Sequence, residues 1–239
     1  MSNHTFWDEY EIKARYIPCL ITAIPLVHFL LQFLGANFWK TIALNVSWLL
    51  IANISLSLIV TLALIQLQCG IAKHWVEEGI FGKGGINFPT TYLLLFQNNF
   101  LSRGIKVALR DKIYNDFHFK LMDEDQECND IEEAKRSIRE AVGLIRGYVC
   151  KGRMLHQYNI SYGFMRNLIG GSLWAFPGCV GSSVLYGLQK DWIPMSFFAV
   201  SSMIFLATLI FKKQILSKIA HQYADTLLNE YLNMKGVAK

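Results

Sequence analysis

The sequence predicts an all-α integral membrane protein with four transmembrane helices and a helical cytoplasmic hairpin between the second and third of them. Three observations lead to this fold class. Four stretches contain no Lys, Arg, Asp or Glu: residues 17–35, 42–66, 168–188 and 193–211. Each is long enough to cross about 30 Å of hydrocarbon as a helix, which takes about 20 residues. One charged block, residues 67–167, separates the stretches into two pairs, and the basic residues concentrate in that block.

The distribution of basic residues predicts the orientation in the membrane. Fourteen of the 23 Lys and Arg residues lie in the charged block, whereas the short connections inside the two pairs carry only Lys40 and Lys190. Loops rich in Lys and Arg stay in the cytoplasm. We therefore expect the block and both termini to be cytoplasmic and the two short connections to face outward.

Three regions follow from this layout. Residues 1–66 are expected to form an N-terminal cytoplasmic segment and the first transmembrane hairpin. Residues 67–167 form the cytoplasmic helical region. Residues 168–239 contain the second transmembrane hairpin and a cytoplasmic C-terminal helix.

The charged block begins with a loop and continues as a helix. Clustered glycines from Gly79 to Gly85 interrupt any helix, and the spacing around Lys83 does not match a phosphate-binding P-loop. A helix is predicted from Ser102 because apolar residues recur at every fourth position. These residues are Ile105, Leu109, Ile113, Phe117 and Leu121.

An acidic run and a second helix follow. We interpret residues 123–127 as a solvated loop tip rather than a metal site, because their oxygens lack the regular spacing of a calcium-binding loop. Asp130 and Glu133 form a capping-box-like pair that starts the second helix. The two helices are expected to pair as an antiparallel hairpin, with the second running on into the third span.

No part of the sequence has the pattern of a catalytic site. It contains no catalytic triad, nucleophile elbow, metal-ligand pair or dinucleotide-binding fingerprint. The spans lack acidic and basic residues, so a membrane-embedded enzyme has little support. The five cysteines are widely spaced without a C-x-x-C pair, which indicates neither a disulfide framework nor a zinc site. We therefore expect a protein that is not an enzyme and has no cofactor.

Polar residues inside the predicted spans are candidates for lining a pore or gate. His28 lies three residues after Pro25 in the first span, and an ionisable group within a membrane is a functional candidate. The structural alternative is a neutral histidine that bonds a freed carbonyl or another helix. Asn53, Ser57 and Thr61 share one side of the second span, where they would line a wet path or hydrogen-bond a neighbouring helix.

Small residues in the third span predict a close helix contact. Gly171, Ala175, Gly178 and Ser182 lie on one narrow seam of the helix. Such a seam lets two backbones approach closely in lipid. It would serve packing against the fourth span within one chain, or packing between the subunits of an oligomer or at a pore.

A dense motif, N-I-S-Y-G-F-M-R-N-L at residues 159–168, lies where the cytoplasmic helix enters the third span. Tyr162 and Phe164 would belong to an interfacial aromatic belt, with Arg166 as an anchor at the headgroups. Alternatively, these residues form a gate or contact a ligand. Further basic residues of the block suit phosphate groups or anionic lipid headgroups. They are Arg103, Lys106, Arg110, Lys151 and Arg153.

The junction motif resembles that of a bacterial family of small four-span membrane proteins, which reads N-x-x-Y-G-F-x-R-N-L. In that family a Pro-Thr pair also follows the second span, as Pro89 and Thr90 do here. The family is similar to the channel-like membrane effectors of Hailong-type, nucleotidyltransferase-linked anti-phage defence. The resemblance covers the motif and the hydropathy layout but little of residues 91–152. It implies an inner-membrane tetramer whose ligand is a nucleotide or short DNA oligomer made by a partner nucleotidyltransferase.

Two functions remain open at this point. The first is a ligand-regulated pore-forming or ion-channel-type effector in bacterial anti-phage defence, which disrupts the membrane potential when active. The second is a non-conducting membrane sensor or scaffold that recruits a soluble partner through its cytoplasmic helices.

Overall fold

The structure is a computed structural model, and its described part is entirely helical, without a strand. The described part comprises the backbone of residues 9–46, 50–149 and 153–234 and the side chains of residues 9–35, 61–149 and 154–234. Ten α-helices occur in these ranges: α1 Ile17–Val46, α2 Leu50–Ile71, α3 Glu78–Phe81, α4 Pro89–Leu94, α5 Arg103–Phe117, α6 Glu124–Asn129, α7 Ile131–Val149, α8 Arg153–Leu188, α9 Trp192–Ile210 and α10 Lys212–Asn233. Short π-helical turns at Glu11–Tyr16 and Ala72–Glu77 and a 3₁₀ turn at Lys83–Gly85 complete the order.

Three helical segments are long and apolar enough to cross a membrane: Glu11–Gly35, Met154–Leu188 and Trp192–Ile210. Their outward side chains are apolar, for example Phe33 at 65% and Ile193 at 85% exposure. Such exposed apolar surface is compatible with a membrane location. The predicted span at 42–66 falls largely on residues whose side chains lie outside the described part, so it stays a prediction.

The chain divides into two compact units. Unit 1 consists of Met1–Val76 and Gly163–Ile215, and unit 2 of Glu77–Tyr162 and Leu216–Lys239. Unit 1 therefore contains the three apolar segments, except for the first residues of Met154–Leu188. Unit 2 contains the helical block together with most of α10.

Unit 1 is held together by close contacts among α1, α2, α8 and α9. Between α8 and α9, the hydroxyls of Ser172 and Thr208 lie 2.8 Å apart, and Ser183 Oγ donates to the Met195 carbonyl at 3.1 Å. Hydrogen bonds of this kind between Ser and Thr hydroxyls and a neighbouring helix are common in membrane proteins. Gly35 interrupts α1 with φ 73°, a conformation that glycine adopts without steric cost.

Unit 2 is organised around α7, which packs against α4 and α6. Helix α7 has one buried apolar face, because its buried residues recur every three or four positions. They are Ala134, Ile138, Ala141, Val142, Ile145 and Val149. The predicted start is confirmed, since Asp130 Oδ1 accepts a hydrogen bond from the Glu133 amide at 3.0 Å.

The acidic run is solvent-exposed at residues 123–126, as predicted, but it forms a capped helix rather than a loop and its last residue is buried. Asp123 caps the short helix α6, and Gln126 returns a bond to the Asp123 amide in a full capping box. Glu127 is 1% exposed and forms an ion pair with Arg110. No local pattern predicts this burial, because the partner of Glu127 lies on a different helix.

Helix α5 begins at Ser102 as predicted but ends earlier than the apolar stripe. His118 adopts a left-handed conformation (φ 54°) and ends the helix after Phe117. Ile105 is 39% exposed, whereas Lys106 and Arg110 are buried. The inward face of α5 therefore carries Leu109 and Ile113 of the predicted stripe together with these two long basic side chains.

Helix α10 completes the core of unit 2. Tyr231 is fully buried, and its hydroxyl donates to Asp116 Oδ2 at 3.1 Å. Burial raises the pKa of Tyr231, and the bond to Asp116 adds to that shift. Phe117 stacks on the same ring at 6.1 Å between centroids. These contacts join the C-terminal helix to the helices of the charged block.

Candidate ligand-binding cavity

A cavity of about 270 Å³ lies within unit 2. Its walls come from the glycine-containing loop before α4, the start of α4, the middle of α7, the first turns of α8 and one residue of α10. Both aromatic and polar side chains line it, together with two arginines. This mixture of a few convergent polar groups on an aromatic wall is typical of a small-molecule site.

The two arginines face the cavity because of their spacing on α7. Arg139 and Arg146 are seven residues apart, which is two helical turns, so they lie on one face. Val142 and Gly143 lie between them, and Gly143 leaves space because it has no side chain. Among the described side chains, no carboxylate forms an ion pair with either guanidinium. The cavity therefore holds two positive charges that no described carboxylate directly neutralises.

Arg146 lies against an aromatic wall. Its Cζ atom is 5.4 Å from the ring centroid of Phe88 and 5.5 Å from that of Tyr223. Phe88 in turn meets Tyr162 edge-on, with centroids 5.6 Å apart. Cation–π contacts at these distances stabilise the guanidinium and orient its plane. The wall thus holds Arg146 in place while leaving its N–H groups available to an anion.

Arg139 lies against the backbone at Gly84. A Cβ atom at Gly84 would come within 2.7 Å of Arg139 Nη1, so any other residue would push the guanidinium aside. Gly84 also has φ 66°, in the left-handed region that favours glycine. The loop that does not match a P-loop in sequence therefore still contributes to a basic cavity, through the room it leaves for Arg139.

Residues of the Pro-Thr pair and of the junction motif, the two features that carry the family resemblance, meet at this cavity. Thr90, from the Pro-Thr pair, lines it together with Thr91. Asn159 and Tyr162, from the start of the junction motif, line it from α8. The sequence separates these two pairs by about 70 residues, and the fold of unit 2 brings them together.

Thr91 has an incomplete set of hydrogen bonds. Its side chain is 1% exposed, and within the described part of the chain its Oγ1 atom has no hydrogen-bond partner. A buried hydroxyl without a partner costs about 1–3 kcal/mol. A polar group of a ligand in the cavity would satisfy it.

The second half of the junction motif has a different role, inside unit 1. Asn167 is fully buried, and its Nδ2 donates to the Ala14 carbonyl at 2.6 Å. Gln68 Nε2 donates to the Asn167 carbonyl at 2.7 Å, and Thr22 Oγ1 lies 3.2 Å from Gln68 Oε1. We call Thr22, Gln68 and Asn167 the polar network. It joins α1, α2 and α8 where a lone polar group in lipid would be costly.

The small-residue seam packs against α1 of the same chain. A Cβ atom at Gly178 would lie 2.8 Å from Leu26 Cα, and one at Gly171 would collide with the Thr22 hydroxyl. Ala175 and Ser182 are fully buried. The expected intrachain partner was the fourth span, and the structure corrects this to the first. The reason is that glycine allows the α8 backbone to meet the Pro25–Leu26 turn of α1 directly.

His28 is bonded to another helix. Its Nε2 atom lies 3.1 Å from the Tyr186 hydroxyl, and its ring stacks on Phe198 with centroids 4.8 Å apart. The histidine therefore joins α1, α8 and α9 through one hydrogen bond and two ring contacts. This placement corresponds to the structural alternative given for His28.

Two predicted phosphate-binding residues are engaged inside unit 2. Lys106 Nζ donates to the Leu95 carbonyl at 2.7 Å and also to the carbonyls of Phe96 and Asn98. Burial lowers the pKa of Lys106, and the nearby carboxylate of Glu127 opposes that shift. Arg110 bonds the Leu94 carbonyl at 2.8 Å and pairs with Glu127. Both side chains therefore stabilise the end of α4 and have few donors left for a ligand.

The other predicted site residues are not gathered at the cavity. Arg103 is exposed and pairs with Glu124 at 2.6 Å. Phe164, Arg166 and Thr61 are half-buried in unit 1. The side chains of four candidates lie outside the described residues: Lys151, Arg153, Asn53 and Ser57.

Sequence reasoning missed Arg139 and Arg146. A signal was present, because the two arginines repeat at seven residues on the same face as Gly143. Most other basic residues of α7 have carboxylates three residues away, as Lys135 has in Glu132 and Arg136 in Glu133. An arginine without a carboxylate three residues away on its helix is a better candidate for binding an anion, and this criterion selects Arg139 and Arg146.

The described part of the chain contains no group of three or more His, Cys, Asp or Glu side chains placed to hold a metal ion. The two arginines of the cavity in unit 2 suit the binding of an anion. In comparisons with known proteins, no family model, no curated protein and no solved structure matches the chain.

Proposed function

We propose that the protein is a ligand-regulated, pore-forming or channel-type membrane effector. Three apolar helical segments expose their apolar faces, as a membrane-embedded assembly requires. A basic cavity in a separate helical unit supplies a place for a regulatory ligand. No described constellation suggests a reaction at that cavity, so binding itself is the proposed event.

One observation carries the proposal. Helix α8 runs without interruption from Arg153 to Leu188. It contributes Asn159 and Tyr162 to the cavity, and it then continues as a candidate membrane span. A ligand that shifts Tyr162 therefore acts on the same helix that carries the seam packed on α1. A population shift between two arrangements of α8 is the mechanism we propose for gating.

The biological setting rests on the resemblance of the junction motif. From it we propose a role in bacterial anti-phage defence, an inner-membrane location and a homotetramer. We further propose a nucleotide or short DNA oligomer from a partner nucleotidyltransferase as the ligand. The convergence of Thr90, Asn159 and Tyr162 on one cavity supports a shared ligand-binding role for the residues that carry the resemblance. Cytoplasmic termini are supported by the concentration of Lys and Arg in the charged block.

The test is the conductance of the purified full-length protein in planar bilayers. Conductance should appear, and its open probability should change when candidate nucleotides or short DNA oligomers are added on the side of the charged block. Arg146→Gln should weaken this response, whereas Arg136→Gln, on the same helix but outside the cavity lining, should keep it. A protein that inserts normally but never conducts, with or without these compounds, would favour the sensor or scaffold function.

A further inference from the structure

We infer that the cavity of unit 2 binds a ligand with two linked anionic groups of the phosphate class, one held by Arg139 and the other by Arg146. This inference deepens the proposed function and rests on the cavity being its regulatory site. Guanidinium groups bind phosphate oxygens through paired N–H donors, and such charge-assisted bonds are about twice as strong as neutral ones.

The positions of the two arginines argue for two anionic groups. Their positions differ by seven residues, which corresponds to about 10.5 Å along the helix axis. The guanidinium of Arg139 lies at Gly84, and that of Arg146 lies at the rings of Phe88 and Tyr223. Because the two guanidinium groups have different neighbours within one cavity, each is available to its own anionic group. Linked phosphates can engage both.

The rest of the lining fits such a ligand. Glu77 adds one carboxylate, so the anionic groups belong at the arginines and away from that wall. The Thr91 hydroxyl is buried without a partner among the described residues, and Asn159 adds an amide. Both can bond neutral or anionic oxygens. The volume of about 270 Å³ holds a compact molecule, or only one end of a longer one.

The experiment measures binding to the full-length protein in detergent at fixed ionic strength, by calorimetry. The probes are inorganic phosphate, pyrophosphate and tripolyphosphate. We expect pyrophosphate or tripolyphosphate to bind at least tenfold more tightly than phosphate. Arg139→Gln and Arg146→Gln should each remove most of this tenfold difference in affinity, because each variant keeps only one of the two guanidinium groups. Equal affinities for all three probes would overturn the inference.

Control variants separate a lost contact from a damaged fold. Arg136→Gln changes an exposed arginine of the same helix that pairs with Glu133 at 3.3 Å, and it should leave all three affinities unchanged. Thr91→Val keeps the shape of the side chain and should weaken binding without unfolding. An equal loss in Arg136→Gln and Arg146→Gln would show a general charge effect and contradict the two-position site.

Two further measurements identify the source of the anionic groups and test the two-anion site separately from the channel function. Nanodiscs with and without cardiolipin, which carries two phosphates, are titrated with tripolyphosphate. Competition by cardiolipin assigns the same two-anion chemistry to a lipid, and its absence assigns it to a soluble ligand. Two-anion binding without any change in conductance would overturn the channel function alone. Gating by a ligand with a single anionic group would overturn this inference alone.

Discussion

Buried polar side chains join several of the described helices. Asn167 joins α8 to the Ala14 carbonyl, and Arg110 with Glu127 joins α5 to α6. Each of these side chains meets a partner far away in sequence. Their burial therefore depends on the tertiary fold and not on the helix that carries them.

Replacing Asn167 by Ala should destabilise unit 1 by about 1–2 kcal/mol. The substitution removes the bond to the Ala14 carbonyl, and interhelical hydrogen bonds within lipid contribute about this much. Thermal unfolding in detergent measures the effect. Asn115→Ala on the exposed side of α5 is the matched control, and a similar loss there would contradict the role of the polar network.

Replacing Arg110 by Met should destabilise unit 2 by about 3–5 kcal/mol, because it removes the ion-pair partner of the buried Glu127 carboxylate. Glu127 is 1% exposed and also accepts a bond from the Phe96 amide at 2.9 Å. Adding Glu127→Gln to Arg110→Met should recover part of the stability, since the amide keeps an acceptor but carries no charge. Chemical denaturation of both variants checks this, and a double variant less stable than the single one would refute it.

At the scale of elements, glycines determine which helices and loops can meet. Gly178 lets α8 approach the backbone of α1, and Gly84 leaves room for Arg139. The seam was visible in the sequence as a pattern, but its partner was not. Spacing identifies the face of a helix, whereas the choice between α1, α9 and another subunit depends on how the spans assemble.

Gly178→Leu should disrupt the packing of α8 on α1. A leucine side chain cannot fit where even a Cβ atom lies 2.8 Å from Leu26 Cα and 2.9 Å from the Pro25 carbonyl carbon. We expect a lower melting temperature in detergent, with Val180→Leu on the exposed side of α8 as the neutral control. Separation of subunits by Gly178→Leu at unchanged stability would instead place the seam between chains.

Gly84→Ala should reduce binding of tripolyphosphate by about tenfold or more, which corresponds to about 1.4 kcal/mol. The new methyl group would displace Arg139, and φ 66° is unfavourable for alanine. Gly147→Ala on α7 meets nothing within 4 Å and should bind normally while the helix gains up to about 1 kcal/mol. Calorimetry of both variants provides the comparison.

Across the whole molecule, the sequence predicts the apolar segments and the helices well, but it predicts contacts between distant parts of the chain poorly. The apolar segments and the period of α7 follow from local pattern alone, and the structure shows them. The cavity does not follow from local pattern. Its walls come from the loop before α4, from α7 and α8, and from Tyr223 of α10, and only the tertiary fold brings these together. Lys106 and Arg110 were expected at a surface because a charged side chain is rarely buried, and carbonyl groups at the end of α4 reverse that expectation.

The orientation of the whole chain can be tested with reporter fusions. A reporter inserted within residues 123–130 or fused after Lys239 should behave as cytoplasmic, because the charged block carries fourteen of the 23 basic residues. A reporter in the turn between α8 and α9, at Lys190, should behave as external. A periplasmic signal from the first two positions would contradict the four-span topology.

The membership of α10 in unit 2 has a consequence for how the protein is made. Tyr223, which forms part of the cavity wall, is translated after all of the apolar sequence. A nascent chain can therefore insert its hydrophobic segments while the cavity still lacks one side. Under the proposed function, ligand binding by the complete cavity is the last property acquired during biosynthesis, and a product shortened before Lys212 would lack the part of the cavity wall that Tyr223 forms.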